Sequence, residues 1–271
     1  MSSRSGIATG LDGRTQLYWE SAGTGDPVLL IHGLGLSGGA WWRTVDALAP
    51  SMRVITFDHR GIGQSASVTH TYTTEAMADD AVSILDALAI DRVHVYGFSL
   101  GGMVAQQVAL RHPERIQSLV LGGTHSGGRR AAIPEPDVMA FFGRRAKMPS
   151  EEAAWASVPY NYGPRSRADQ VDRIAEDIER RLQNPFNERA YQAQLLAGSM
   201  HNCYRRLDRI HVPTLVVHGA RDRIIPVANA HMTAEQMPQA QLTILEDAGH
   251  LYPTEEPAVD EAVGTFFAAH G

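Results

Sequence analysis

The stretch that decides the fold is Val93-His-Val-Tyr-Gly-Phe-Ser-Leu-Gly-Gly102. Its apolar first half predicts a β-strand that ends near Gly97, and the residues after Ser99 continue with helical character. Ser99 is therefore expected at the tip of a strand-to-helix turn, with a strained backbone and an exposed hydroxyl. Gly97 and Gly101 flank it because a Cβ at either position would clash where strand and helix pass each other. The free N–H groups at the start of the helix would face a developing oxyanion, so the stretch predicts a nucleophilic serine.

A nucleophilic serine needs a base, and the base needs an acid that orients it. His250 follows the apolar segment 241–245, and Asp222 follows the apolar segment 213–219. Each residue taken alone has an ordinary interpretation: Asp222 as a helix cap in a surface loop, and His250 as one of twelve histidines. Their joint occurrence at successive strand ends favours a triad with Ser99.

A fourth strand end supplies donors for the negatively charged intermediate. The apolar segment 27–31 leads directly into His32-Gly-Leu-Gly35. We expect the backbone N–H groups of Leu34 and Leu100 to form the pair that holds the oxyanion. His32 is more typical of a residue that fixes the loop through backbone hydrogen bonds than of a second base.

Together these segments resemble the α/β-hydrolase superfamily, and the match covers nearly the whole chain. The segments that carry the resemblance are 32–35, 58–65, 97–102, 111–115, 219–222 and 248–250. The chain is most similar to small bacterial enzymes that need no cofactor, among them 3-oxoadipate enol-lactonases, carboxylesterases and non-haem haloperoxidases. The resemblance implies the chain order serine, acid, histidine that Ser99, Asp222 and His250 show. It does not choose a substrate.

Apolar segments alternate with amphipathic helical segments along most of the chain. We expect strands at 15–20, 28–31, 54–57, 93–96, 116–121, 214–218 and 241–245, and helices at 39–48, 74–88, 100–111, 228–237 and 256–269. Short apolar strands separated by amphipathic helices indicate a mostly parallel sheet covered on both faces. With the resemblance, this predicts the α/β-hydrolase fold with an eight-stranded sheet.

The alternation breaks between residues 124 and 206, a segment with six prolines and no strand signal. A capping-box-like start predicts one helix from Ser166 to Leu182, and a second is expected from Asn187 to Met200. We therefore predict a helical cap at 124–206, inserted between core segments 1–123 and 207–271. Such a cap would shield the substrate from water and shape specificity.

A substrate pocket that is mostly apolar favours aromatic residues from the cap. Three of them flank the proline-bounded turn at 159–164: Trp155, Tyr160 and Tyr162. On the core side, the pocket candidates adjoin the catalytic groups in the sequence: His32, Gly33, Phe98 and Leu251. The alternative is that the three cap aromatics only pack the cap helices together.

The charge of the predicted cap differs from that of the rest. Segment 124–206 holds 13 Arg or Lys and 10 Asp or Glu, whereas the remainder holds 11 and 20, and the net charge is −6. A basic lid could attract an anionic substrate such as a carboxylate-bearing lactone, although solvated helix faces explain most of these charges more simply. Nucleic acid is not expected as a partner, because the chain is acidic and lacks a basic stripe with interleaved aromatics.

Composition sets further limits. The chain has 271 residues, 44% of them apolar, which suits one large domain or a core with an insertion. Cys203 is the only cysteine, so no intrachain disulfide can form, and a cytoplasmic location is expected. No secretory signal or membrane span is expected, because no sufficiently long apolar segment occurs. We expect no metal, since Asp58-His59 lacks a third ligand with suitable spacing.

The sequence thus favours a cofactor-free serine hydrolase that acts on a small-molecule carboxylic ester or lactone. Carbon–carbon bond hydrolysis of a vinylogous diketone, acyl transfer and perhydrolysis would use the same triad and stay open. A ligand-capturing receptor of the same fold is the alternative outside enzymes. The oligomeric state, including a homo-oligomer, also stays open.

Overall fold

One eight-stranded sheet forms the centre of the computed structural model, which describes residues 3–66, 70–145, 147–183 and 187–271. The strands are β1 (Ser3–Thr9), β2 (Gln16–Ala22), β3 (Pro27–Ile31), β4 (Arg53–Phe57), β5 (Val93–Phe98), β6 (Ile116–Gly122), β7 (Thr214–Gly219) and β8 (Ala240–Leu245). Their order across the sheet is β1-β2-β4-β3-β5-β6-β7-β8. β2 pairs antiparallel with β1 and β4, and all other neighbours are parallel. The predicted mostly parallel, eight-stranded sheet is confirmed.

The edge strand β1 was not located from the sequence, although the strand number was expected. Of its seven residues only Ala8 is buried, so the strand shows little of the apolar alternation that marks a half-buried strand. Its position is set by pairing with β2, which is a long-range contact. The other seven strands lie within two residues of their expected bounds.

Helices cover both faces of the sheet and fill the insertion. They are α1 (Trp42–Leu48), α2 (Thr74–Ala87), α3 (Leu100–Arg111), α4 (Pro136–Arg145), α5 (Ser150–Ala156), α6 (Val158–Asn161), α7 (Pro164–Asp169), α8 (Val171–Leu182), α9 (Glu188–Met200), α10 (Ala228–Gln236), α11 (Tyr252–Glu255) and α12 (Ala258–Ala268). One hydrophobic cluster joins α2, α3 and α10 to the sheet, and a second joins α1, α11 and α12 to it. The carboxyl ends of the parallel strands are thereby held at one common edge.

The helix expected from Ser166 to Leu182 is two helices, and this expectation was wrong in detail. α7 begins at Pro164 and ends at Asp169, and α8 begins at Val171. Proline at the first helical position starts α7 before Ser166, and the non-helical backbone of Gln170 separates the two.

Among the described residues, six α-helices, α4 to α9, lie between β6 and β7. A small cluster of Ala154, Tyr162, Ile174 and Ile178 holds part of this insertion together. The last helix, α9, instead contributes Ala193 and Ala197 to the main hydrophobic cluster of the sheet. The division of the chain at residues 123 and 206 therefore remains a prediction.

In the described ranges, no helix combines the length and the apolar character needed to cross a membrane. The sole cysteine, Cys203, is 1% exposed, and burial raises the pKa of its thiol to about 12. Its Sγ donates a hydrogen bond to Oε1 of Gln106 at 2.8 Å. Cys203 is thus a packed, unreactive thiol in this structure.

The contact of α3 with the end of β3 generates a stability prediction. A Cβ on Gly101 would overlap the carbonyl oxygen of Ile31 and lie 2.7 Å from that of His32. We expect Gly101→Ala to lower the free energy of unfolding by more than about 3 kcal/mol, measured by urea denaturation, or to prevent folding.

Gly143→Ala is the matched control, because Gly143 is also helical and its added Cβ would meet no described residue within 4 Å outside the backbone of its own helix. It should stabilise the protein by up to about 1 kcal/mol, as Ala replaces Gly in an exposed helix. Equal effects of the two substitutions would contradict the steric argument.

Candidate active site

Ser99 links β5 to α3 and has a strained backbone. Its φ of 55° and ψ of −119° are unfavourable for a residue with a side chain. Its N–H donates to the carbonyl of Gly122 at 2.8 Å, and the hydroxyl of Thr124 donates to its carbonyl at 2.7 Å. A Cβ on Gly97 would lie 2.6 Å from that of Ala105, so this turn needs glycine there. The strained backbone of Ser99 is therefore stabilised by its contacts with the sheet and by the close packing of β5 on α3.

The side chains of Ser99, His250 and Asp222 form a continuous hydrogen-bonded row. Nε2 of His250 lies 3.1 Å from Oγ of Ser99, and its Nδ1 lies 2.7 Å from Oδ2 of Asp222. A proton on Nδ1 donates to the carboxylate and leaves Nε2 free to accept from the serine hydroxyl. The three ends of β5, β7 and β8 bring these residues together, as expected from the sequence.

Asp222 is 6% exposed and its carboxylate is fully engaged. Oδ1 accepts the backbone N–H groups of Ile224 and Ile225, both at 2.8 Å. Burial alone would raise the pKa of Asp222, but the imidazoles of His250 and His218 hold that pKa well below its usual value. Asp222 is therefore an anion throughout the neutral range, with its carboxylate oriented toward His250.

Two other positions, Asp247 and Gly123, do not supply an acid to His250. The side chain of Asp247 is 52% exposed and pairs with Arg165 at 3.2 Å. Gly123 follows β6, and a Cβ there would lie 3.5 Å from Nδ1 of His250. A carboxylate at that position could reach the ring, but the residue is glycine.

The two amides expected to hold an oxyanion belong to Leu34 and Leu100. Neither N–H has a hydrogen-bond partner in the described part of the chain. Leu100 opens α3, where N–H groups are unsatisfied by the helix itself. A Cβ on Gly33 would lie 3.2 Å from that of Ser99, which shows how closely this loop approaches the serine. The next amide, that of Gly35, donates to Oε1 of Gln194 on α9 at 2.7 Å.

His32 is held as a neutral ring. Its Nδ1 accepts the N–H of Gly33 at 2.6 Å, and its carbonyl oxygen is 3.1 Å from Nε2 of His59. Burial is the main cause that lowers the pKa of His32, to about 3, and the nearby His59, Arg181 and His250 lower it further. These contacts are those of a residue that fixes the loop.

A cavity of about 540 Å³, including solvent at its mouth, lies between the sheet and the insertion. Three of the expected pocket residues line it: His32, Phe98 and Leu251. Phe98 also packs on the His250 ring, with centroids 5.1 Å apart. The fourth core candidate, Gly33, lies beside Ser99. The sequence did not point to the rest of the lining: Leu36, Ala40, Trp41, Trp42, Arg43, Thr44, Asp177, Arg180, Arg181, Pro253 and Thr254.

The cap aromatics lie elsewhere, and the structure corrects this part of the expected pocket. Trp155 is 44% exposed, and Tyr162 is buried in the small cluster of the insertion. Tyr160 stacks on Phe141 with centroids 4.3 Å apart. None of the three lines the cavity described above. The turn at 159–164 packs the insertion together instead of entering the cavity, because Tyr162 has apolar partners there.

His218 is a further residue that the sequence reasoning missed. Its Nε2 lies 3.2 Å from Oδ2 of Asp222 and 2.7 Å from the carbonyl of Ile225. The signal was available, because His218 stands at the end of β7, four residues before Asp222. It contacts Oδ2 of Asp222, the oxygen that also faces His250, whereas the loop amides bind Oδ1.

Asp58 and His59, the one candidate metal pair, are engaged in holding loops. The carboxylate of Asp58 accepts the N–H groups of Gly38 at 2.7 Å and Gln64 at 2.8 Å. Across the described ranges, no group of three or more potential ligands lies close enough to hold a metal ion.

Comparison with known proteins agrees with the geometry. The model of a family described as having the alpha/beta hydrolase fold matches residues 26–257. A poly(3-hydroxyalkanoate) depolymerase from Ectopseudomonas oleovorans is 33% identical over 229 residues, which make up 83% of this chain and 78% of that protein.

Solved structures show the same likeness over the whole chain. A malate-bound thermophilic esterase from Thermogutta terrifontis has a TM-score of 0.83 and 29% identity, and the match covers 99% of this chain and 100% of that one. An N-acyl homoserine lactone degrading enzyme has a TM-score of 0.79 and 29% identity, covering 96% and 100%.

Proposed function

Because the chain belongs to the α/β-hydrolase family, whose model spans residues 26–257, we propose that this hydrolase cleaves a small carboxylic ester or lactone with Ser99 as its nucleophile. The observation that carries the proposal is the contact of 3.1 Å between Oγ of Ser99 and Nε2 of His250, continued to Asp222 at 2.7 Å. Nucleophile, base and orienting acid in hydrogen-bond contact are what acyl transfer requires.

In the first half of the reaction, Oγ of Ser99 bonds to the substrate carbonyl carbon as its proton moves to Nε2 of His250. The N–H groups of Leu34 and Leu100 stabilise the resulting oxyanion. Collapse of this tetrahedral intermediate breaks the ester bond, and His250 gives its proton to the leaving oxygen. The product is an acyl group on Ser99 and a free alcohol, or the opened ring of a lactone.

In the second half, water attacks the acyl carbon and its proton moves to His250. Collapse releases the carboxylic acid and returns the proton to Oγ of Ser99. Asp222 stays ionised in both halves, which keeps Nδ1 of His250 protonated and stabilises the imidazolium. The low pKa of Asp222 suits this role, because a protonated acid could not stabilise that charge.

The relatives support ester or lactone chemistry for this chain. The two similar structures are those of an esterase and a lactone degrading enzyme, and the relative from Ectopseudomonas oleovorans is a depolymerase. The cavity that Phe98 and Leu251 line combines apolar walls with a few charged groups, as sites for small molecules do. A cytoplasmic location is part of the proposal, since the single cysteine is buried and reduced.

A substrate panel tests the proposed class. Short acyl esters, γ-lactones and enol-lactones should be turned over by the wild-type enzyme, and replacing Ser99 with Ala should lower kcat on the best of them by about 10⁴ to 10⁶. Circular dichroism should show an unchanged fold. Near-normal cleavage by Ser99→Ala would overturn the proposed nucleophile, whereas turnover of a vinylogous diketone alone would replace the ester class.

The assignment of the acid is tested by two asparagine substitutions. Asp222→Asn should lower kcat by at least about 100-fold, because the neutral amide can no longer stabilise the imidazolium of His250. Asp247→Asn should change kcat less than about twofold, since its side chain faces solvent and pairs with Arg165. The reverse ranking of the two variants would show that the acid is misplaced.

The neutral state of His32 generates a prediction about pH. Its pKa is about 3 in the folded state and about 6.5 in the unfolded chain, so unfolding takes up a proton between these values. Above pH 6.5, His32 is neutral in both states and does not affect the pH dependence of stability. Between pH 6.5 and 3, only the unfolded chain protonates it, so the free energy of unfolding falls as the pH drops. At pH 5, His32→Asn should reduce the slope of unfolding free energy against pH by about 1.4 kcal/mol per pH unit.

The same variant separates a loop-fixing role from a second base. In a plot of kcat/KM against pH, activity falls on the acidic side with a characteristic midpoint. If His32 stays neutral during the reaction, His32→Asn leaves that midpoint unchanged, even where the rate is lower. Disappearance of that fall, or displacement of its midpoint, would show that His32 titrates in the reaction.

A further inference from the structure

The cavity beside the candidate active site carries an unusual charge distribution. Its walls include Leu36, Trp41, Phe98 and Leu251, which are apolar. The charged residues that line it are three arginines, Arg43, Arg180 and Arg181, and one acid, Asp177. The cavity borders the catalytic residues through Phe98, whose ring lies 5.1 Å from that of His250.

Two of the arginines already have partners. Arg43 lies 3.1 Å from Asp177 and 2.7 Å from Glu176, and its guanidinium stacks on Trp42 at 3.9 Å. Arg180 stacks on the same indole ring at 4.1 Å. Their charge is shared between carboxylates and an aromatic face, so neither needs a ligand.

Arg181 differs from both. Its Nε and Nη2 are shielded from solvent and have no hydrogen-bond partner in the described part of the chain. Asp177 stands one helical turn earlier on α8, where an ion pair with Arg181 would ordinarily form. The oxygens of Asp177 are instead occupied by Arg43 and by the hydroxyl of Thr254.

Two shielded guanidinium nitrogens without an acceptor are costly, because these donors have lost water and gained no hydrogen bond in exchange. Two neighbouring groups that feel its charge, His32 and Tyr162, are both uncharged, because burial lowers the pKa of His32 and raises that of Tyr162. Arg181 is close enough to His32 to contribute to lowering the pKa of that ring, which is neutral and whose Nδ1 is taken by Gly33. An anionic ligand would supply the missing acceptors.

We propose that Arg181 binds a carboxylate group of the substrate, so that the enzyme selects esters or lactones that carry a second, ionised carboxyl group. This inference rests on the proposed function of the same site. A guanidinium donates two parallel hydrogen bonds to a carboxylate. The apolar walls would contact the hydrocarbon between that carboxylate and the scissile carbonyl at Ser99.

Binding can be measured without turnover in the Ser99→Ala variant. Trp41 and Trp42 line the cavity, so their fluorescence should respond when it is filled. Titration with the monomethyl esters of succinate, glutarate and adipate at pH 8 should give a saturable change for at least one chain length. The uncharged methyl butanoate, pentanoate and hexanoate should bind at least about 10-fold more weakly.

Adding Arg181→Gln should abolish this preference, lowering the affinity for the anionic ester by about 10- to 100-fold. Arg167→Gln is the control: it removes the same charge from the insertion at an exposed residue outside the cavity. It should leave both affinities unchanged. Equal binding of charged and uncharged esters, or equal effects of the two variants, would overturn the proposal.

Kinetics with Ser99 intact separate this proposal from the proposed function. With a pH-stat assay, Arg181→Gln should lower kcat/KM for the monomethyl diacid esters by about 10- to 100-fold, mainly through KM, and leave the uncharged esters within twofold. Turnover of all esters without an effect of Arg181 would refute the carboxylate site alone. Anion binding without turnover of any ester would refute the ester hydrolase and keep the site.

Discussion

The close approach of α3 to the ends of β3 and β5 is the constraint on which the rest of the site depends. At Gly101 the helix backbone touches the carbonyls of Ile31 and His32, and at Gly97 the strand touches α3. The chain between them has no room for a relaxed turn, so Ser99 takes a positive φ. The loop after β3 also comes close to the serine, since a Cβ on Gly33 would lie 3.2 Å from that of Ser99.

The charge of the buried Asp222 depends on the groups that surround it at the edge of the sheet. Asp222 is removed from water, yet it keeps its charge because two backbone amides and two imidazoles surround it. Its position is inherited from the parallel sheet, whose neighbouring strands end at the same edge. Ser99, Asp222 and His250 meet because β5, β7 and β8 end at the same edge of the sheet, with only β6 between β5 and β7.

The sequence was informative where function depends on short segments and weak where it depends on packing between distant ones. The serine turn and the loops after β3, β7 and β8 could be located because glycines and polar residues interrupt apolar strands at fixed places. The part of the cavity wall that α8 forms could not be located in this way, because it depends on how that helix packs over the core. Trp155 was expected there as an aromatic residue of the cap but is 44% exposed, whereas Arg181 lines the cavity and no short motif marks it.

The hydrogen bond between Gly35 and Gln194 has a mechanical consequence. It ties α9 to the loop that carries the Leu34 amide, and Ala193 and Ala197 anchor the same helix in the main cluster. A rigid rotation of the inserted helices that includes α9 would pull on that loop and move the Leu34 amide. Both contacts fix α9 to the core, whereas Ala154, Tyr162, Ile174 and Ile178 of the earlier helices form a separate cluster. The insertion therefore has two parts. One packs within itself, and the other, α9, is anchored to the sheet, so the change in packing occurs inside the insertion and not at its ends.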